Sequence, residues 1–189
     1  MFGFGHKNKK TAVLILPTKQ YDETEFHTLE KVFRKHHIKS IRAATSILGP
    51  VTGMHQKETL KPEIKLSELQ LDQCDALVLI GGLGVREHYN DQNLHRVLQK
   101  ANQMEKTIAA IDYAPIVLAH AEILNHKCAT VIGTEEQKLQ AAGAHYTGTA
   151  IEVDGNIVTG SSSAHAEEFA ETVAQVILGE YVVPVETNA

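Results

Sequence analysis

Cysteine is scarce in this chain, with only Cys74 and Cys128 in 189 residues. Two thiols this far apart make neither a redox C-x-x-C motif nor a metal-ligand set, and they give no disulfide framework. Basic charge is also in short supply. The formal net charge is −5 and no Lys/Arg stripe runs along the chain, so the footprint of a nucleic-acid binder is missing. No apolar run approaches the roughly 18 residues of a membrane span. The opening MFGFGHKNKK lacks the apolar stretch of a signal peptide. The expectation is a cytosolic protein with neither membrane nor nucleic acid as partner.

Cofactor signals are equally thin. The eleven histidines are scattered without metal spacing. Gly81-Gly82 with Gly84 is not a dinucleotide fingerprint, because the spacing is wrong and no acidic partner is evident. No metal or cofactor is expected.

What remains is ordinary for a folded domain, 43% apolar and 22% charged. Residues 11–180 are expected to form one domain, after a loose leader at 1–10 and before a tail at 181–189. Thr11–Leu16, Ile38–Ala44, Asp75–Ile80, Thr107–Ile111 and Cys128–Ile132 read as strands. Asp22–His36, Asn93–Met104, Tyr113 to about Leu124, Glu135–Ala142 and Ala164–Leu178 read as helices. Gly49–Pro50 and Thr52–Gly53 mark turns of a small hairpin. Asp154-Gly155 suits a type I′ turn in a second hairpin, Ile151–Thr159. Alternating buried strands and amphipathic helices imply an α/β, flavodoxin-like three-layer sandwich with a mostly parallel sheet. Ligands bind such sheets beyond the carboxyl ends of the strands.

The stretch KTIAAIDYAP, Lys106–Pro115, falls at that edge. Asp112 follows a buried strand at once, and Ala110 and Ala114 flank it at two residues' distance. That is the steric pattern of a nucleophile elbow, with aspartate where a serine or cysteine would sit. Two readings of Asp112 stand side by side. As a helix cap it accepts an amide hydrogen bond and tolerates unusual backbone angles. As a functional group it is the central side chain that such an elbow exposes. The Ser161–Ser163 run reads by itself as a loop and cap, and His165 is the histidine placed nearest the site.

DALVLIGG (Asp75–Gly82), TIAAIDYAPIVLAHAEIL (Thr107–Leu124), EEQKLQAAGAHY (Glu135–Tyr146) and VDGNIVTGSSSAHAEEFA (Val153–Ala170) together resemble the ThiJ/PfpI superfamily, relatives of class I glutamine amidotransferases. The resemblance implies a flavodoxin-like fold, a homodimer, a reactive cysteine at the elbow and a carboxylate bonded to it. That carboxylate is Glu25 by position. Gly82 then supplies a backbone amide near the pocket, Tyr113 lines it, and Ser161, Ser162 and Ser163 form a wall. This chain departs from the family at the centre of the chemistry. Asp112 replaces the cysteine, Tyr113 the histidine that follows it, and Val131 a later aromatic or histidine. Ser161–Ser163 replaces an Arg-Gly-Pro.

Asp112 and Glu25 are therefore the candidate catalytic pair, expected to be joined by a short hydrogen bond from a protonated Glu25 to an ionised Asp112. Such an Asp112 imitates permanently the sulfinic acid that an oxidised cysteine would form. Two function classes follow. One is a non-catalytic or weakly catalytic member that binds an unidentified small molecule, a sensor or stress-related protein. The other is a hydrolase or lyase on small carbonyl or acyl substrates, with protease-like or glyoxalase-like chemistry carried by Asp112 and Glu25.

Overall fold

The computed structural model describes residues 9–45, 49–55 and 58–183. Twelve strands are described in chain order: β1 (Thr11–Leu16), β2 (Lys19–Tyr21), β3 (Lys39–Ala44), β4 (Val51–Gly53), β5 (Thr59–Leu60), β6 (Ile64–Lys65), β7 (Ala76–Leu79), β8 (Thr107–Ile111), β9 (Cys128–Ala129), β10 (His145–Tyr146), β11 (Ile151–Asp154) and β12 (Ile157–Gly160). The helices are α1 (Glu23–Lys35), α2 (Gln92–Gln103), α3 (Pro115–His120), α4 (Glu136–Ala141) and α5 (Ala166–Leu178).

Seven strands form the main sheet in the order β11-β12-β8-β7-β1-β3-β6, parallel throughout except for β11. The period-2 alternation of strand side chains divides the core in two. Ala12, Leu14, Val78, Ala109, Ile111 and Val158 face Phe26 and Phe33 of α1 and Phe169 and Val173 of α5. Val13, Ile15, Leu77, Leu79, Ile108 and Ala110 face Leu94 and Leu98 of α2 and Ile116 and Leu118 of α3. Helices on both faces of a parallel sheet follow from crossovers of one hand. From β1 the chain winds outward to β3 and β6, then returns to β7 on the other side of β1. That reversal creates a switch point between β1 and β7, where such folds place their ligands.

Most elements lie where the apolar runs place them, and four details differ. The helix after Asp112 is one short piece, Pro115–His120, because the backbone turns into the left-handed region at Glu122 (φ 61°). The strand at Cys128 is two residues long and pairs with β10 outside the main sheet. Thr52 and Gly53 lie within β4, which pairs antiparallel with β5, and do not form its turn. In the β11–β12 hairpin the loop is Gly155-Asn156, since Asp154 pairs with Ile157. Gly155 alone of the two takes positive φ (65°), whereas a type I′ turn needs it at both.

Of the expected leader, residues 1–8 lie outside the described residues. Lys10 is tied down, its Nζ 2.9 Å from Asp75 and its carbonyl accepting from the Lys39 amide at 2.8 Å. Residues 184–189 of the expected tail also lie outside. No helix among the described residues is long and apolar enough to cross a membrane.

The starts of α1 and α2 are capped by aspartate, Asp22 and Asp91. Asp91 accepts from the Asn93 and Leu94 amides at 3.0 and 3.2 Å, pairing donors a helix leaves free. Asp91→Ala is expected to lower stability by about 1 kcal/mol, read from the midpoint of a urea melt. A change below a third of that would show that solvent replaces the cap at no cost.

Candidate functional site at the switch point

Three segments meet at the carboxyl ends of β1, β7 and β8. The first is the start of α1, where Asp22 caps the helix by accepting from the Thr24 and Glu25 amides at 2.8 and 3.1 Å. The second is Gly81-Gly82, just beyond β7, held to the first by an Asp22 N–H to Gly81 carbonyl bond of 3.1 Å. The third is Asp112, immediately after β8.

Asp112 adopts φ 63°. Among the described residues six non-glycine residues take positive φ, and Asp112 is the one of them that is buried. Its backbone is fixed on both sides: its amide donates to the Gly160 carbonyl at 3.0 Å and its carbonyl accepts from the Ile132 amide at 3.1 Å. The chain closes a tight turn from the Ile111 carbonyl to the Ala114 amide (3.0 Å), with Ala110 and Ala114 fully buried. Left-handed backbone costs an L-residue about 1–2 kcal/mol. The surrounding hydrogen bonds hold it, and strain of this kind collects at functional positions. Asp112 is not the cap of the following helix. That helix starts at Pro115, with Ala114 before it and no side-chain cap.

The expected bond between the two carboxyl groups is not formed. Each takes its own backbone amide from consecutive glycines. The Gly81 amide donates to Glu25 Oε2 at 2.7 Å, and the Gly82 amide donates to Asp112 Oδ2 at 3.0 Å. Glu25 Oε1 is buried without a hydrogen-bond partner among the described residues. Gly81 separates the two groups so tightly that a Cβ on it would lie 2.7 Å from Asp112 Cβ and 2.9 Å from Glu25 Oε2. Gly82 is needed for a second reason: its φ of 93° and a Cβ position 2.4 Å from the Gln20 carbonyl oxygen admit no side chain.

The protonation states follow from burial. Glu25 is 1% exposed, and desolvation holds its carboxyl well above the usual range. The charges of Asp22 and Asp112 add to that rise, against the Gly81 amide. Burial also raises Asp112, to about 6, opposed by the Gly82 and Tyr113 amides and by Arg86. Burial thus favours the protonated form of both acids, and more strongly at Glu25 than at Asp112.

The remaining candidates fall at different distances from this centre. Tyr113 is half-buried, and the Arg86 guanidinium lies 4.5 Å from its ring centroid. Ser161 follows the Gly160 carbonyl that holds Asp112, and its amide donates to the Ala150 carbonyl at 2.9 Å. Ser162 and Ser163 continue into a helical turn, all three half-buried. His165 ends that turn with Glu168 3.9 Å from its ring, and no hydrogen bond among the described residues joins it to Asp112. Val131 is fully buried in the core on the α2–α3 face. Cys74 is buried and precedes β7, whereas exposed Cys128 opens β9.

Arg86 and Glu135 were not marked by any local pattern. Arg86 lies on the helical turn Leu83–His88 after Gly82, and its Nη2 donates to Glu135 Oε1 at 3.1 Å. Glu135 is 3% exposed and also accepts from Lys138. The Tyr89 hydroxyl donates to the Tyr113 carbonyl at 3.4 Å, tying the same turn to the bend. Among the described residues no group of three or more His, Cys, Asp and Glu could hold a metal ion.

The DJ-1/PfpI family model matches residues 10–176. An uncharacterized protein of Methanocaldococcus jannaschii is 31% identical over 174 residues, which is 90% of this chain and 83% of that protein. A deglycase of Thermococcus kodakarensis is 28% identical over 138 residues, 71% of this chain and 82% of its own. Among solved structures, a ThiJ/PfpI domain protein from Brachyspira murdochii shares the fold with a TM-score of 0.86. It covers 91% of this chain and 99% of its own at 22% identity. With a match that runs from the first strand into the last helix, the chain belongs to the DJ-1/PfpI family.

Proposed function

We propose that this protein is a divergent DJ-1/PfpI member that binds a small molecule at the Asp112 bend and turns over family-type substrates weakly or not at all. One observation carries the reading: the Gly82 amide is occupied by Asp112's own carboxylate at 3.0 Å. Acyl and carbonyl addition needs a preorganised donor aimed at the oxyanion that develops on the substrate. Here the amide at the bend already serves a permanent anion. A carboxylate is also a weaker nucleophile than a thiolate.

A second reading keeps the enzyme. An acid with a pKa of about 6 suits a general base at neutral pH. Asp112, with protonated Glu25 as the acid, would then serve a hydrolase or lyase on small carbonyl or acyl compounds. The T. kodakarensis relative, called a deglycase, lends this reading its substrate class.

The two readings separate in one screen. Wild type, Asp112→Asn and Asp112→Cys are assayed against glyoxals, p-nitrophenyl esters and peptides. The binding reading expects wild type and Asp112→Asn to be equally inactive. It expects Asp112→Cys to gain on the order of 10²-fold, because a thiolate then meets a free Gly82 amide. Turnover by wild type that Asp112→Asn abolishes would select the enzyme instead.

A further inference from the structure

Two buried imidazoles take no part at the bend yet belong to the segment that frames it. His88 closes the turn Leu83–His88 and is 3% exposed, and His95, in the first turn of α2, is 5% exposed. The Nε2 atom of each is buried without a hydrogen-bond partner among the described residues. A buried polar atom left unpaired is costly, and a buried charge left unpaired is costlier still.

The two histidines share one continuous unit that reaches the site at both ends. The Asp91 amide donates to the His88 carbonyl at 3.1 Å, and the His95 amide to the Asp91 carbonyl at 2.9 Å. The turn begins at Gly82, whose amide holds Asp112. Tyr89 follows it, with its hydroxyl on the Tyr113 carbonyl and its own carbonyl 2.7 Å from His120 Nδ1. The turn's backbone bonds are long, 3.2 Å from the Val85 amide to the Gly82 carbonyl and 3.3 Å from the Tyr89 amide to the Arg86 carbonyl. Such 3₁₀ geometry bonds poorly, so the seat of Val85, His88 and Tyr89 in the interior does most of the holding.

Carboxylates near the pair are already engaged. Glu87 Oε1 lies 3.5 Å from His88 Nε2, and Asp91 Oδ2 lies 3.5 Å from His88 Nδ1. Glu87 also accepts from the Thr18 amide and hydroxyl at 2.6 and 2.9 Å, and Asp91 caps α2. Burial holds His88 below the usual histidine range, against the charges of Glu87 and Asp91. Burial also lowers His95, helped by the charge of His120 and opposed by Asp91. Arg86 on the turn and Lys138 of α4, 5.6 Å from the Tyr89 ring centroid, bring positive charge and no acceptor, and Glu135 is taken by both.

Below the ordinary histidine value of 6.5, an opened turn takes up protons that the closed one resists, so acid favours opening. Asp112 and Glu25 work the other way, because burial raises both and their proton uptake favours the closed site. We propose that the Leu83–His88 turn is an acid-released clasp on the Asp112 bend, seated while His88 and His95 are neutral and unseated when they take up protons. On release the Gly82 amide and Arg86 leave the bend together, before the sheet unfolds. The clasp acts alike on a binding site and on an active site.

Hydrogen exchange of the full chain, followed by mass spectrometry at pH 7.5 and 5.5 and corrected for the intrinsic rate at each pH, reads the release. Residues 83–91 are expected to lose protection about tenfold or more on acidification, while Thr107–Ile111 keeps its own. The double substitution His88→Gln with His95→Gln should abolish that change. Each single substitution should remove part of it, so the test is decided even if the double variant does not fold. Unchanged protection of 83–91 in wild type would overturn the clasp. So would an equal loss in Thr107–Ile111, which is global unfolding, or an undiminished loss in the variants, which assigns the proton uptake to other groups.

Discussion

Asp112→Asn is expected to stabilise the protein by about 2–3 kcal/mol at pH 8 and to lose most of that advantage by pH 4. An aspartate in the unfolded chain titrates at 3.8, and Asp112 in the folded protein at about 6. Below 3.8 the carboxyl is protonated in both states, and its contribution to folding is complete. As pH rises from there toward 6, the unfolded chain releases its proton while the folded one retains it, so unfolding gains. Above 6 both are ionised and the loss is constant. Asparagine escapes this loss, tolerates the left-handed backbone equally well and still offers an oxygen to the Gly82 amide. Removing the charge also withdraws one of the influences that raise Glu25, which adds to the gain. Urea melts of both proteins at pH 4.0, 6.0 and 8.0 measure the difference. A gap that does not widen with pH would place the cost elsewhere than in ionising residue 112. A stabilising substitution at the centre of a site is the signature of a residue kept for something other than folding.

Gly84→Ala is expected to cost about 3 kcal/mol or more. Gly84 lies on the turn that carries Arg86, packed against β2. A Cβ there would fall 1.6 Å from the Lys19 carbonyl oxygen, 2.8 Å from the Lys19 carbonyl carbon and 3.3 Å from Pro17 Cβ. The obstacle is backbone, so no side chain can swing aside to relieve it. Either the Leu83–His88 turn or β2 must move, and both border the site through Gly82 and Asp22. Gly133→Ala is the control, since nothing lies within 4 Å of its Cβ position, and it should stay within about 0.5 kcal/mol of wild type. Equal denaturation midpoints for the two variants would mean that this turn yields far more readily than its packing implies.

The readability of this chain follows the range of the forces involved. β1 and β8 lie at the bounds expected from their apolar runs, because each run ends in a residue that cannot continue a buried strand, Pro17 or Asp112. α1 runs between Asp22 and His36 for a similarly local reason, an aspartate cap at one end and basic residues in the last turn. Apolar spacing carries the expected helix after Asp112 on to Leu124 because Ile123 and Leu124 are buried along with Ile116 and Leu118. Apolar spacing reports burial, and burial continues through the turn at Glu122. Within the site, Asp112 and Gly82 could be placed because strand ends in a parallel sheet converge on one edge. The relation of Asp112 to Glu25 could not. Two amides from one Gly-Gly step each take an oxygen of one acid, and that step is 56 residues from Glu25 in the chain, so nothing local to either acid marks it. Arg86 and Glu135 are 49 residues apart, and TEEQK around Glu135 reads as a solvated helix start, so nothing local marks the buried partner.

The main sheet ends in two residues of β6 on one side and four residues of the antiparallel β11 on the other. A neighbouring chain that docked along either rim would gain only a few rungs of backbone pairing, too few to template further growth. Short rims of this kind are a device by which folded sheets discourage edge-to-edge pairing.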